Sequence, residues 1–469
     1  MPTRQIKYLA LHGHFYQPPR GNPFSSAPLV EPSAAPYRNW NERITAESYR
    51  PNAELGNFDL ISFNLGETLA VWLLANAPET YRRILQADAD HLARTKVGNA
   101  IAQPMHHTIL PLDRRPDKVT QVRWGKAAFA HRYGRPTTGM WLPEMAVDYE
   151  TLEVLVENGI EWTILTESQI IGKPPGSGPF WVDLPGGGRI KVFVRDESLS
   201  NDIAFNLGNF GGAGRWARNA LAPRRPNAGP LTLIATDGET FGHHWPGEEQ
   251  FLRWLMTYEA KAAGYIPITL AEYAAFAEPR ETVTIKEDTA WSSGYGLGRW
   301  VTGSPDTPGD SYWKGALRRA MDNLRYQIDG VYRDEVARIN GIDPITLRDA
   351  YIKVVLGHLS APDLLRDQEV EIKREEDGPR LLKLIEAQYY RQRMYASCAF
   401  FFADLDDLAT QYGIANAAYA IKLTRDATGI DLSADFRRDL RLARAVRRKT
   451  GQLFTAAEIF DPLSEEFRA

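Results

Sequence analysis

The chain has 469 residues, 43% of them hydrophobic and 24% charged, with 55 basic against 59 acidic side chains and a formal net charge of −4. This describes a globular protein with a large core and at least one further domain. Without a basic excess it excludes a nucleic-acid-binding or anionic-membrane-binding class. The single cysteine, Cys398, excludes an internal disulfide and any multi-cysteine zinc or iron–sulfur centre. The N-terminal MPTRQIKYLALHGH holds only a short apolar run, with neither a signal-peptide pattern nor a spanning segment of about 20 apolar residues, so a cytoplasmic location is expected. The 12 Trp, 20 Tyr and 19 Phe fill cores in most proteins, and they also stack on sugar rings.

Short β-like runs occur at Tyr8–Leu11, Leu60–Phe63, Ala100–Gln103, Thr138–Trp141, Trp162–Leu165, Ile190–Val194 and Leu231–Ala235. Helix-like segments lie between several of them, at Glu67–Ala75, Pro116–His131 and Tyr149–Asn158. In the last, Leu152, Leu155 and Val156 share one face and Gly159 follows where a helix stops. Repeated strand–helix alternation means parallel strands with right-handed crossovers, in a barrel or an open doubly wound sheet. No glycine-rich phosphate loop follows the first strand, which argues against nucleotide binding.

Near Ala275 the pattern changes. Pro279 to Trp300 reads as an irregular connection. Trp313, Leu317, Met321, Leu324, Ile328 and Val331 then recur at helical spacing, and a second helical series runs from about Leu381 to Leu423 through the block CAFFFADL. Arg437 to Lys449 reads as a solvated helix face rather than a basic patch, because Leu and Ala recur in it at helical intervals. The expected division is a catalytic barrel over 1–275, a connection over 276–309 and a helical domain over 310–469.

The chemistry centres on LTLIATDGETFGHH, residues 231–244. Its apolar run without alternation predicts a strand buried on both faces, with Asp237 and Glu239 at its C-terminal mouth. In a parallel barrel that rim carries the catalytic groups. Alone, Asp-Gly-Glu is also an ordinary solvated turn. A second strand, in MWLPEMAVD, places Glu144 at the same kind of position beside Trp141. Two carboxylates facing each other across a cleft, with an aromatic neighbour, are equipped to break a glycosidic bond, and the charge of one raises the pKa of the other. HGHFYQPP at the end of the first strand, His106–His107 and His243–His244 add imidazoles at strand ends, suited to sugar hydroxyls or to zinc. Adjacent residues on extended backbone point oppositely, so one of each pair is expected to face the cleft.

Taken in order, His14 with Gln17-Pro18, His107-Thr-Ile-Leu-Pro, Trp141-Leu-Pro-Glu144, Arg195-Asp-Glu-Ser-Leu-Ser-Asn-Asp-Ile-Ala-Phe205 and Asp237-Gly-Glu-Thr-Phe-Gly-His resemble the ordered motifs of glycoside hydrolase family 57 over roughly residues 5 to 275. The resemblance implies an α/β fold, a distorted (β/α)7 barrel followed by a mostly helical C-terminal domain. It further implies a retaining mechanism on α-glucans such as starch or glycogen, with Glu144 as nucleophile, Asp237 as general acid/base, and no metal or other cofactor. Substrate contacts are expected from His14, Gln17, His107, Asp202 and His243, with Trp141 stacking at the cleaved bond and Trp291 covering the cleft. Glu239 is either a further contact or a structural acid. TAWSSGYGLGRW and MYASCAFFFADL resemble pieces of a helical region of unknown function attached to one subgroup of that family, with Ser293 and Tyr295 where Cys and His are expected.

The expected reaction has two steps through a covalent glycosyl-enzyme, with carboxyl groups about 5–5.5 Å apart. Water as acceptor gives hydrolysis, of amylase or amylopullulanase type. A sugar hydroxyl gives 4-α-glucan transfer or branching. Two rival classes stand beside this: a metal-dependent polysaccharide deacetylase, which needs three protein ligands on zinc, and a non-catalytic glucan-binding protein on the same scaffold.

Overall fold

The computed structural model describes residues 6–25, 29–307, 309–339 and 342–466. Its first strand, β1 (Tyr8–Phe15), is buried from Leu9 onward, as expected of a parallel strand covered on both faces. It pairs in parallel with β2 (Ser62–Leu65) and, along its other edge, with β6 (Leu231–Asp237). Parallel bridges Phe63↔Ala100, Ala102↔Met140 and Gly139↔Trp162 carry the ring on to β3 (Trp162–Thr166), which pairs in parallel with β5 (Arg189–Arg195). These seven parallel strand positions coincide with the seven predicted runs, and a short strand that was not predicted, Ile266–Pro267, also pairs in parallel with β1.

The ring closes irregularly. One edge of β5 is taken by an antiparallel strand, β4 (Phe180–Asp183), which the sequence reading did not anticipate. β6 therefore meets only the end of β5: Asp196 N–H donates to Leu233 O at 2.7 Å and Arg195 Nη1 donates to Ala235 O at 3.1 Å. Leu233 N–H turns instead to Ser177 Oγ at 2.9 Å. Inside, Ala10, Ile101, Trp141, Ile164, Phe193 and Leu233 belong to one packed cluster. The predicted helices appear as Glu67–Asn76, Arg115–Tyr133 and Tyr149–Glu157. The last is capped by Asp148, which accepts from Thr151 N–H at 2.7 Å, and is followed by Gly159 at φ 75°.

Two compact units emerge, and they do not follow the expected linear cut at residue 275. One comprises Met1–Gln17, Leu29–Pro104 and Phe129–Trp291, and the other Pro18–Pro28, Met105–Ala128 and Ser292–Ala469. The segment Met105–Ala128, expected in the barrel, thus groups with the second unit. The cause is a buried charge network: Asp117 accepts from Arg348 Nη1 at 2.8 Å and from Arg391 Nη1 at 2.9 Å, and Arg391 also binds Asp329. Burial pushes the Asp117 carboxyl up, but the two guanidinium groups outweigh it and hold it at about 2.

That carboxyl titrates below its unfolded value of about 3.9. Its contribution to stability is therefore present above pH 4 and is lost as pH falls toward 2. Arg391→Met removes one partner each from Asp117 and Asp329 while Arg348 and Gln388 stay on them, and is expected to cost about 1.5–3 kcal/mol, read as a lowered urea midpoint for the unit that contains it.

The second unit is built on helices Trp313–Ile339, Asp377–Arg393 and Leu408–Thr428. Tyr332, Val336, Leu347, Leu364, Leu381 and Ile385 share its core. The predicted series from Leu381 to Leu423 is not continuous. A short helix, Cys398–Phe401, ends at Phe402 in extended backbone, and Asp407 then starts the next helix by accepting from Ala409 N–H at 2.8 Å. Arg437 to Lys449 is not one helix face either. Helix Ser433–Leu440 stops, and Arg444–Val446 pairs antiparallel with Leu453–Thr455 around a turn where Gly451 has φ 69°. Among the described residues no helix is long and apolar enough to cross a membrane.

Candidate active site

β6 delivers Asp237 to its C-terminal end, in register with His14 on β1. The strand stops there. Gly238–Thr240 forms a 3-10 turn, so Glu239 does not alternate to the opposite face as it would on an extended strand. The turn needs its glycine, because a Cβ on Gly238 would lie 2.2 Å from the Phe15 ring. Gly242, at φ 115° and with a Cβ position 2.2 Å from Glu47 O, bends the chain again. Glu239 is buried at 6% exposure, where Tyr49 OH donates to its Oε1 at 2.5 Å and Gln17 Nε2 donates at 3.4 Å.

Glu144 sits in the turn Pro143–Met145 with φ 57°, and Met145 follows at φ 48°. Left-handed backbone costs a non-glycine residue about 1–2 kcal/mol. Such strain persists where surroundings over-determine it, and it gathers at functional sites. Here Trp291 clamps the turn: its backbone N–H donates to Glu144 O at 3.0 Å and its indole Nε1 donates to Glu144 Oε2 at 3.1 Å. The Trp291 ring meets Trp141 edge-on at 5.1 Å and has the Arg195 guanidinium over it at 5.1 Å. Arg195 is fixed in turn by Thr166 Oγ1 at 2.9 Å, Ala235 O and Asn201 Oδ1.

The charges are arranged unequally. Burial, then the neighbouring Glu239 and Glu144, push the Asp237 carboxyl well above the usual range against the opposing pull of Arg195. Burial raises Glu239 to about 7 although Tyr49 and Gln17 stabilise its anion. Burial also lowers His12 to about 4 and His14 to about 3, against a hydrogen bond to Asn64, so both imidazoles are neutral at pH 7. Asn64 donates to His14 Nδ1 at 2.9 Å and to Gln103 Oε1 at 2.6 Å, and accepts from His12 Nε2 at 3.0 Å. That network puts the His14 proton on Nε2. The cluster thus presents Asp237, whose proton is held more tightly than an ordinary carboxyl holds it, near Glu144.

Of the residues expected from sequence, Glu144, Asp237, Glu239, Gln17, His14, Trp141 and Trp291 come together. Trp141 is not an open stacking surface: it is 0% exposed, stacked against His12 at 5.1 Å and His14 at 4.8 Å. It is the floor under the histidines. His243 pairs with Glu47 at 2.5 Å and meets Trp40 edge-on. The backbone at His243 and His244 is turned rather than extended, and both N–H groups donate to Glu239 O. His107 belongs to the second unit, with Nδ1 2.7 Å from Ser397 Oγ. Asp202 lines a cavity beside the start of β6 rather than its end.

Three contributors escaped the sequence reading. Arg195 opens a motif that was recognised only as a string. Asn64 is a polar residue in a buried strand, SFNL, which is a usable signal for a positioning role. Tyr49 carried no signal. Among the described residues no three His, Cys, Asp or Glu side chains are grouped so as to hold a metal ion, the set a deacetylase zinc requires.

The model of Glycosyl hydrolase family 57 matches residues 37–286, and that of a domain of unknown function, DUF3536, matches residues 310–463. An α-amylase of Pyrococcus horikoshii is 26% identical over 245 residues, which are 50% of this chain and 37% of the relative, so the chain spans well under half of that protein's length. An exo-type maltose-forming amylase from Pyrococcus sp. ST04 superposes with a TM-score of 0.73 at 16% identity, covering 92% of this chain and 82% of the other. A family 57 branching enzyme from Pyrococcus horikoshii superposes with a TM-score of 0.58 at 15% identity, covering 98% and 95%. At such identities the two structures speak for the fold, a distorted barrel with a helical C-terminal region. The family model spans more than half of the sequence and takes in both Glu144 and Asp237, and on that match this chain belongs to glycosyl hydrolase family 57.

Proposed function

We propose that this chain is a retaining α-glucan-active glycosidase or transglycosylase, with Glu144 as nucleophile and Asp237 as general acid/base. The observation that carries the reading is the unequal pair: a carboxyl whose pKa is raised by burial and by two neighbouring acids, near a second carboxyl on a strained, clamped turn. One group is ready to donate a proton and the other to attack. Glu144 attacks the anomeric carbon while Asp237 protonates the departing oxygen, giving a covalent glycosyl-enzyme. Asp237, now a base, takes a proton from water or from a sugar hydroxyl as that oxygen displaces Glu144. Amylase and branching activities among the relatives support α-glucan as the substrate class. The deacetylase alternative lacks support in the grouping of metal-binding side chains among the described residues.

Trp291 positions the nucleophile in this reading. Trp291→Phe keeps a ring beside Arg195 but removes the N–H that reaches Glu144. A hydrogen bond to a charged group is worth about 1.5–3 kcal/mol, so kcat/KM is expected to fall about ten- to hundredfold. The loss should fall on kcat rather than KM, since the indole N–H fixes the reacting carboxylate and not the bound sugar. A change confined to KM means that Trp291 does not act through Glu144. The reading as a whole is tested by product analysis of purified protein with amylose, a branched glucan and a short maltooligosaccharide. Absence of any changed α-glucan overturns it, and the product pattern otherwise separates hydrolysis from transfer and branching. A chain that binds glucan without any product would instead favour the non-catalytic alternative.

A further inference from the structure

Asp202 was expected among the sugar contacts at the acids, yet it lines a separate cavity of about 870 Å³. The cavity borders Leu231 and Thr232 at the start of β6. Asp237 ends the same strand, five residues beyond Thr232, or roughly 17 Å away at about 3.3 Å per residue. Its volume is within the range of about 300–1,000 Å³ that holds small organic ligands.

The walls divide into two kinds. Some polar groups are spent on the fold: Asp196 accepts from Leu199 N–H at 2.9 Å and pairs with Arg224 at 3.0 Å, and Glu167 accepts from Glu197 N–H at 3.1 Å. Others face the cavity with their capacity unused. The side chains of the half-buried Asp202 and the exposed Lys173, Asn219 and Asn227 make no hydrogen bond or ion pair among the described residues, and the half-buried Phe210 has no ring partner among them.

The chemistry of this lining selects its ligand. Three carboxylates, Glu167, Asp196 and Asp202, stand against Lys173 and Arg224, so an anionic ligand is disfavoured. No three acidic or imidazole groups among the described residues are grouped to hold a metal ion. An apolar ligand would displace water from Asp202, Asn219 and Asn227 without offering their amides and carboxylate a partner in exchange, which disfavours it. A neutral polyhydroxyl compound satisfies them. Its hydroxyls donate to Asp202 and to the amide oxygens and accept from the amide nitrogens and Lys173, while its C–H face rests on Phe210. We propose that this cavity is a second, non-catalytic binding site for an α-glucan chain. The proposal rests on the preceding section for the identity of the sugar.

The test uses the full chain carrying Glu144→Gln, so that bound sugar is not consumed, titrated with maltoheptaose by calorimetry and followed by hydrogen exchange. The expected result is two sites per chain, with amide protection over residues 199–229 in addition to residues 141–147. Adding Phe210→Ala should leave one site, remove the protection over 199–229, and weaken retention in an amylopectin gel about tenfold. Asn219→Ala, at an exposed position with no packing role, should weaken retention in the same direction and guards against misfolding of the Phe210 variant. One site, unchanged by either substitution, with wild type still acting on α-glucans, overturns the second site and leaves the proposed function standing. No binding at all, together with a wild type that changes no α-glucan, overturns both.

Discussion

Glu144→Gln should lose at least about four orders of magnitude in kcat on any α-glucan the protein consumes, or about 5 kcal/mol of transition-state stabilisation. An amide nitrogen does not attack an anomeric carbon. The substitution leaves the fold in place because the amide oxygen still accepts from Trp291 Nε1, and the backbone bond from Trp291 N–H to Glu144 O is independent of the side chain. The companion Glu144→Ala opens room for a small anion. With azide it should recover turnover and release a glycosyl azide of inverted anomeric configuration, since one displacement then replaces two. A Glu144→Gln protein with wild-type rates removes Glu144 from the mechanism. Recovery by azide with retained configuration means that two displacements still occur, so that a group other than Glu144 is the nucleophile.

Asp237→Asn should combine a loss of function with a gain of stability. Removing a general acid costs about 10²–10⁴ in rate, least for substrates whose leaving group needs no proton. The stability effect follows from the direction of the pKa. The folded-state value lies above the unfolded value of about 3.9 because burial and the neighbouring Glu239 and Glu144 oppose ionisation. The folded state therefore binds this proton more tightly. The stabilisation is fully present below pH 4 and is lost as pH rises toward the folded-state value, above which a charge is buried at a cost.

Asparagine carries no such charge, so its melting temperature should exceed that of wild type, by a margin that widens as pH rises. Activity in wild type should fall on the alkaline side as Asp237 loses its proton. Glu239→Gln, by removing one of the neighbouring charges, should move that alkaline limb to lower pH. An unmoved limb would show that Asp237 is not the group titrating there.

The strand positions of the barrel were legible because each is a short apolar run without alternation, and a strand covered on both faces writes that pattern directly into sequence. Glu144 and Asp237 were legible for the same reason: each follows the end of such a run, where a parallel strand leaves the core. The glycine in Asp237-Gly-Glu read only as part of an ordinary turn, and the structure shows the Phe15 ring packed where its Cβ would lie. β4 left little trace. It is a short antiparallel edge whose Trp181 is covered by Arg189 at 4.0 Å rather than by an alternating apolar face.

Sequence by itself determined the class of fold and the places of its strands along the chain, and put the two proposed acids at strand ends, since these depend on local burial patterns and on motif order along the chain. Tertiary structure alone decided what surrounds the acids. That Glu239 folds back beside Asp237, that Trp291 spends its N–H on Glu144, and that Arg195 lies over Trp291 are contacts between segments tens to more than a hundred residues apart or across a turn, and no periodicity encodes them. It also assigned His107 to the second unit through Asp117 and its arginines, and Asp202 to its own cavity. Motif order reports that such residues belong to the family's pattern; which side chain each one meets depends on how distant segments pack, and that is settled only when the chain closes on itself.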